Sequence, residues 1–250
     1  MTSQHLIIVW SGGFDSTAVL LSAGADAATF DKITVISGDL ANANPDCSEQ
    51  DRTARKNITE TLHTIKPFDR YNFTTATEIN ISEVGEGSGQ SETWAFMASE
   101  AVSSEDTYTE IRFGYIRHDD FWHFRPNFEN AIYNLCEMTG KHKPTIYYPY
   151  EWSLKRDILP IYVKYPFIFK EISWGGDTHE VKLKEKDDLK SVFELMLSAA
   201  DSATAGSVKP SDIIPKSIDI SIETSHPPSI NSATPTSASL DNTTSSNTIV

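Results

Sequence analysis

Ser11, Gly12, Gly13, Asp15, Ser16 and Thr17 fall within seven positions, between the apolar run LIIVW (residues 6–10) and the run AVLL (residues 18–21). A glycine pair at such a junction lets backbone pass close to an anion with no Cβ in the way. The residues after it start a helix, whose first N–H groups lack intrahelical partners and carry the positive end of the helix dipole. That combination cradles phosphate oxygens, and the hydroxyls of Ser11, Ser16 and Thr17 add donors. Asp15 does not suit a plain anion site. Its carboxylate repels phosphate unless a divalent cation lies between them, so it points to Mg2+ bridging to a polyphosphate. A glycine turn capped by Asp15 and holding no ligand satisfies the same residues.

The segment RHDDFWHFRPNF (residues 117–128) is equally dense in chemistry. Arg117, His118, Asp119, Asp120, His123 and Arg125 alternate with Phe121, Trp122 and Phe124 within nine positions. Aromatic faces beside carboxylates and guanidinium groups suit a flat heterocycle, stacked on its faces and read at its edge. A solvated loop with aromatic anchors accounts for the same composition. His118 and His123 with a carboxylate could ligate a metal, although a spacing of five fits helical ligation poorly. Lys155 stands near an expected helix start, where a cation is unfavourable for the dipole unless it faces phosphate; a surface lysine is the other reading.

These groups need a scaffold that brings them together. Residues 6–10, 32–37, 69–75, 109–116 and 145–148 read as five strands, the first two as continuous apolar runs suited to burial on both faces of a parallel sheet. Helical patterns separate them, which predicts a doubly wound, mainly parallel five-stranded α/β fold. Expected helix caps are Asp46 or Ser48, Ser91 and Ser153, with residues 165–177 as an aromatic loop and 184–200 as a last amphipathic helix. In such a sheet ligands bind outside the carboxyl ends of strands where the order reverses, which places Ser37 and residues up to 44 to meet a nucleoside. The glycine-rich stretch 84–90, ending in Gln90, feeds another helix and offers a further contact. Cys47, near a helix start, could carry a lowered pKa, but one such cysteine is more often incidental.

At 250 residues the chain accommodates one α/β domain over 1–200, followed by a Ser/Thr/Pro-rich stretch over 201–250 that reads as a disordered tail. A net charge of −14 argues against broad nucleic-acid binding. Two cysteines are too few for a disulfide framework or a four-cysteine metal site and fit a reduced compartment. With no membrane-length apolar run, the expectation is a cytoplasmic protein without membrane association.

The string SGGFDST, directly after an apolar strand, resembles the SGGxDS pyrophosphate loop of the N-type ATP pyrophosphatases, and it lacks the Gly-Lys-Ser/Thr ending of a Walker A motif. The order of elements over roughly residues 5–180 is similar to the 7-cyano-7-deazaguanine synthases of the queuosine pathway within that group. Gly89-Gln90-Ser91 stands where that family has Gly-Arg-Asn. Gly114, Asp119 or Asp120, Arg125 and Phe128 match its substrate segment, and Pro149 through Lys155 its later P-L-x-x-x-x-K segment. Ser173-Trp174-Gly175-Gly176 matches only the start of the family's zinc-cysteine region, so no zinc site is expected.

The resemblance implies an adenine nucleotide alpha hydrolase-like fold and an ATP- and Mg2+-dependent ligase that releases AMP and pyrophosphate. It implies 7-carboxy-7-deazaguanine and ammonia as substrates, an acyl-adenylate as intermediate and an amide or nitrile as product, and it allows a homodimer. On the same basis Ser11, Gly12, Gly13, Asp15, Ser16, Thr17 and Ser37 contact ATP. Gln90, Asp119, Asp120 and Arg125 contact the deazapurine, Asp15 and Lys155 are catalytic, and Asp15 is the Mg2+ ligand. A tRNA-modifying or thiolating pyrophosphatase is the alternative within the group. It is disfavoured by the acidic charge and the absence of paired catalytic cysteines. A non-catalytic nucleotide-binding protein is the alternative outside it.

Overall fold

The computed structural model describes residues 3–40, 45–79, 90–174 and 180–204, which belong to one structural unit. Its elements alternate along the chain: β1 (Gln4–Val9), α1 (Phe14–Ser22), β2 (Lys32–Leu40), α2 (Pro45–Leu62), β3 (Asn72–Ile79), α3 (Gln90–Ala101), β4 (Tyr108–Arg112), α4 (Arg125–Met138) and β5 (Thr145–Tyr147). Three helices follow: α5 (Lys155–Val163), α6 (Pro166–Glu171) and α7 (Glu180–Thr204). The five strands form one parallel sheet in the order β3-β2-β1-β4-β5, a doubly wound α/β fold. β1 is central, with Ile7 registered against Thr34 of β2 and Ile111 of β4.

Helices cover both faces, which explains why β1 is apolar at consecutive positions. Leu6, Ile8 and Trp10 pack on one face with α1, α2, α5, α6 and α7, through residues such as Leu20, Ile58, Tyr162, Phe169 and Phe193. Ile7 and Val9 pack on the other with α3 and α4, through Trp94, Ala98, Phe128 and Ile132. The order reverses between β1 and β4, so the switch point, where ligands bind in sheets of this kind, lies outside their carboxyl ends, beside the turn before α1 and the segment after β4.

Several boundaries differ from the sequence expectations for local reasons. α2 starts at Pro45, so Asp46 and Ser48 lie inside its first turn rather than capping it. α3 starts at Gln90, which puts Ser91 inside it as well. α5 begins after Leu154, not Ser153, and the carboxylate of Asp157 accepts the Leu154 N–H at 2.8 Å. Residues 166–171 form α6 instead of a loop: Pro166 presets the first turn, and Ile168 and Phe169 are buried. The last helix runs from 180 to 204, so it takes in the first four residues of the tail expected from 201; the rest of that tail, like the 84–89 glycine stretch, lies outside the described residues. Among the described residues no helix is long and apolar enough to cross a membrane.

Candidate functional site

The turn between β1 and α1 is built from the residues singled out by sequence. Gly12 has φ +94°, a conformation that disfavours any side chain, and a Cβ there would meet Asp51 O at 3.1 Å and Arg55 Cγ at 3.0 Å. Gly13, extended, precedes the first residue of α1. The two hydroxyls of the turn, Ser11 Oγ and Ser16 Oγ, lie 2.9 Å apart, and the Ser11 N–H donates to Ser16 Oγ at 3.2 Å. The turn is braced from outside: Arg55 Nη1 donates to Ser11 O at 2.9 Å, the Ser173 N–H to Gly12 O at 2.9 Å, and the buried Tyr162 hydroxyl to Phe14 O. A loop held this firmly presents its backbone in one shape.

Asp15, in the first turn of α1, is the anomaly. Its Oδ1 is buried and has no hydrogen-bond partner. Burial pushes its pKa up to about 7; Lys155 opposes the shift, and the charges of Asp119 and Glu185 add to it. Tyr71, Thr93, Thr109, His142 and Tyr148 also keep buried polar atoms without a partner, but Asp15 is the one carboxylate among them, at a helix start where a cation or a bridged ligand would complete it. Lys155, the first residue of α5, donates to Glu185 of α7 at 3.0 Å. Its burial disfavours the charge, but Asp15, Glu185 and Asp119 outweigh that and raise its pKa. Asp119 is half-buried; burial raises its pKa, against the Ile116 N–H that its Oδ2 accepts at 2.8 Å and the charge of Lys155. The structure therefore brings Asp15, Asp119 and Lys155 into one electrostatic cluster, from the segments that follow β1, β4 and β5.

Other sequence-predicted residues sit differently. Thr17 is wholly buried and its hydroxyl accepts Trp10 Nε1–H at 2.9 Å, so it ties α1 to β1 rather than facing the crevice. Ser37 is buried on β2, its hydroxyl 3.2 Å from that of Thr75. Gln90 opens α3 at the surface, and the next residue, Ser91, hydrogen-bonds Tyr115. Asp120 is exposed and acts on Asp119 through its charge. Arg125 is committed to Glu129 at 2.7 Å and Glu151 at 2.9 Å, with its guanidinium 4.7 Å from the Tyr148 ring centre. The aromatics of 117–128 largely pack on themselves and on neighbours: Phe121 stacks on Tyr115 at 3.6 Å and is buried with Phe128 and Tyr148. Trp122 Nε1 donates to Ile116 O at 2.6 Å.

Four contributors had little sequence signal. Glu185, in a charged helical run, reaches Lys155 only through packing of α7. Ser173 and Arg55 brace the glycine turn from distant segments. Gly114 is needed because a Cβ there would lie 2.6 Å from Ser16 Cα and 2.7 Å from its N, so β4 exits directly against the first turn of α1. The sequence reading put Gly114 inside the strand expected over 109–116 and matched it to a substrate segment; β4 ends at Arg112 instead, and the contact with α1 was not visible.

Among the described residues no group of three or more His, Cys, Asp or Glu side chains could hold a metal ion by itself. The orphaned Asp15 oxygen fits a magnesium ion that takes its remaining ligands from phosphate and water, the usual mode for that ion. No protein-family model matches the chain, and no curated protein matches its sequence.

Proposed function

We propose that the chain is an ATP-dependent, AMP-forming ligase similar to the 7-cyano-7-deazaguanine synthases, acting on a carboxylic acid such as 7-carboxy-7-deazaguanine with ammonia. The observation that carries this reading is the buried, unpartnered Asp15 Oδ1, beside Lys155, at the start of a helix entered through a glycine turn. The SGGFDST string and its place at the sheet's switch point support it.

In this reading the backbone of residues 12–16 and the Ser11 and Ser16 hydroxyls hold the β and γ phosphates, while Lys155 neutralises charge on the departing pyrophosphate. Asp15 and a phosphate oxygen would hold Mg2+, which supplies further charge neutralisation when bound. Asp119 and Asp120 orient the acceptor. The acceptor's carboxylate oxygen attacks the α-phosphorus and the bond to pyrophosphate breaks; ammonia then attacks the acyl carbon and AMP leaves. Alignment and charge stabilisation suffice for both steps, with no covalent nucleophile from the chain.

Purified protein given ATP, Mg2+, ammonium and 7-carboxy-7-deazaguanine should release AMP and pyrophosphate and yield the amide or nitrile by mass spectrometry. ADP and phosphate as products, or no release dependent on the acid, would count against it. The engagement of Arg125 by Glu129 and Glu151 favours a second reading, in which adenylation is retained but the acceptor is a different one. AMP formation that requires tRNA instead of the deazaguanine acid would identify that case.

A further inference from the structure

The carboxylate of Asp119 is pre-oriented on one side only. Its Oδ2 accepts the Ile116 N–H at 2.8 Å while its own N–H donates to Ile116 O at 3.1 Å, and Trp122 Nε1 donates to the same carbonyl at 2.6 Å. Oδ1 takes no hydrogen bond from the described residues. The segment is held against the start of α1 by the close approach at Gly114. The titratable groups that act on Asp119 are the carboxyl groups of Asp15, Asp120 and Glu185, the cation Lys155, and Tyr115, a phenol whose pKa is pushed up to about 12 so that it stays neutral. Such surroundings stabilise a nitrogen that is acquiring positive charge more than they stabilise an incoming anion.

Building on the ligase reading, we infer that Asp119 is a catalytic residue of the second half-reaction, its free oxygen taking the proton that the ammonia nitrogen sheds. As the N–C bond forms at the acyl carbon, nitrogen becomes positively charged and would be expelled again if it kept all its protons. Transfer of one proton to Asp119 leaves a neutral nitrogen, so collapse breaks the C–O bond to AMP, which departs with the electron pair. Asp119 then returns the proton to water. Burial raises its pKa, which makes it a stronger base than a surface aspartate.

The test compares the two half-reactions in wild type, D119N and D119E. Asparagine can still accept the Ile116 N–H through its carbonyl oxygen, and thermal unfolding checks that the loop is intact. D119N should lower kcat/KM for ammonia about 100-fold further than it lowers exchange of labelled pyrophosphate into ATP driven by the acid, with D119E recovering part of the loss. With rates expressed per free NH3, so that ammonium ionisation drops out, the acidic limb of the ammonia step's pH profile should vanish in D119N and move in D119E, which also decides the matter if D119N folds poorly. Equal losses in both half-reactions, or an unchanged limb in D119E, would overturn the assignment and leave Asp119 as an acceptor-positioning residue. Absence of acid-driven exchange in wild type would overturn the ligase reading itself, and this assignment with it.

Discussion

Two buried polar clusters lie at opposite ends of the sheet. At the amino ends of the strands, His5 is fully buried with both ring nitrogens engaged, Nδ1 with Asp106 at 2.7 Å and Nε2 with Thr34 Oγ1 at 2.8 Å. Asp106 also accepts Ser3 Oγ–H at 3.0 Å. Burial and Lys32 lower the His5 pKa, with Asp106 opposing them. At the carboxyl ends, Asp15 is enclosed but leaves an oxygen without a partner. The hydrogen bonds of His5 itself are all made within the chain, although its register partner Thr109 and the nearby His142 keep buried polar atoms without a partner, whereas the Asp15 carboxylate is itself left one partner short. Saturation of the titratable group itself, not burial or charge, separates His5 from Asp15.

Substitutions should divide along the same line. The largest effect is expected at the unsaturated end: on the ligase reading D15N and K155A should each lower ATP turnover about 1,000-fold, read as AMP release, because each removes a charge that this reading assigns to the phosphates and their cation. At the saturated end H5A should leave turnover per folded molecule intact but cost about 3 kcal/mol in urea unfolding, since Asp106 and Thr34 lose a buried partner. Gly114 joins the two effects. G114A forces a methyl group into the Ser16 backbone and should cost about 2 kcal/mol while also raising the KM for ATP.

The smallest effect has the opposite sign. Asp15 of the free protein keeps its proton up to about pH 7, whereas in the unfolded chain it ionises near 3.8. Its folded pKa is raised, so its contribution is most favourable below pH 4 and is lost as pH rises to 7. D15N removes that loss and should stabilise the free protein by about 2 kcal/mol or more at pH 8. The gain should disappear at pH 4. A variant that is more stable and inactive would mark Asp15 as a group kept for function.

The frame was legible because parallel strands buried on both faces must be apolar throughout, as 6–10 and 32–37 are. Helix starts were less so: Asp46, Ser48, Ser91 and Ser153 are good capping types, but Pro45, Gln90 and Leu154 define the ends. At the site, Asp15 and Lys155 stood out because each violates a local preference, a carboxylate at an anion turn and a cation at a helix start. Glu185 violates nothing locally and acts only through packing. The pairing of Arg125 with Glu129 was readable at a spacing of four, while Glu151 arrives from the segment after β5. Aromatics alternating with charge could not distinguish a stacking platform from a small core, and here Phe121 and Phe128 belong to a core.

The most direct test is the titration of the Asp15 carboxyl by 13C NMR, assigned against D15N, without ligand and with saturating Mg2+ and ATP. The free protein should show a midpoint of about 7. With the nucleotide bound, the midpoint should drop below the ordinary aspartate range, as the orphaned oxygen acquires a cationic partner. A midpoint that stays near 7 in a nucleotide-saturated protein would contradict the account.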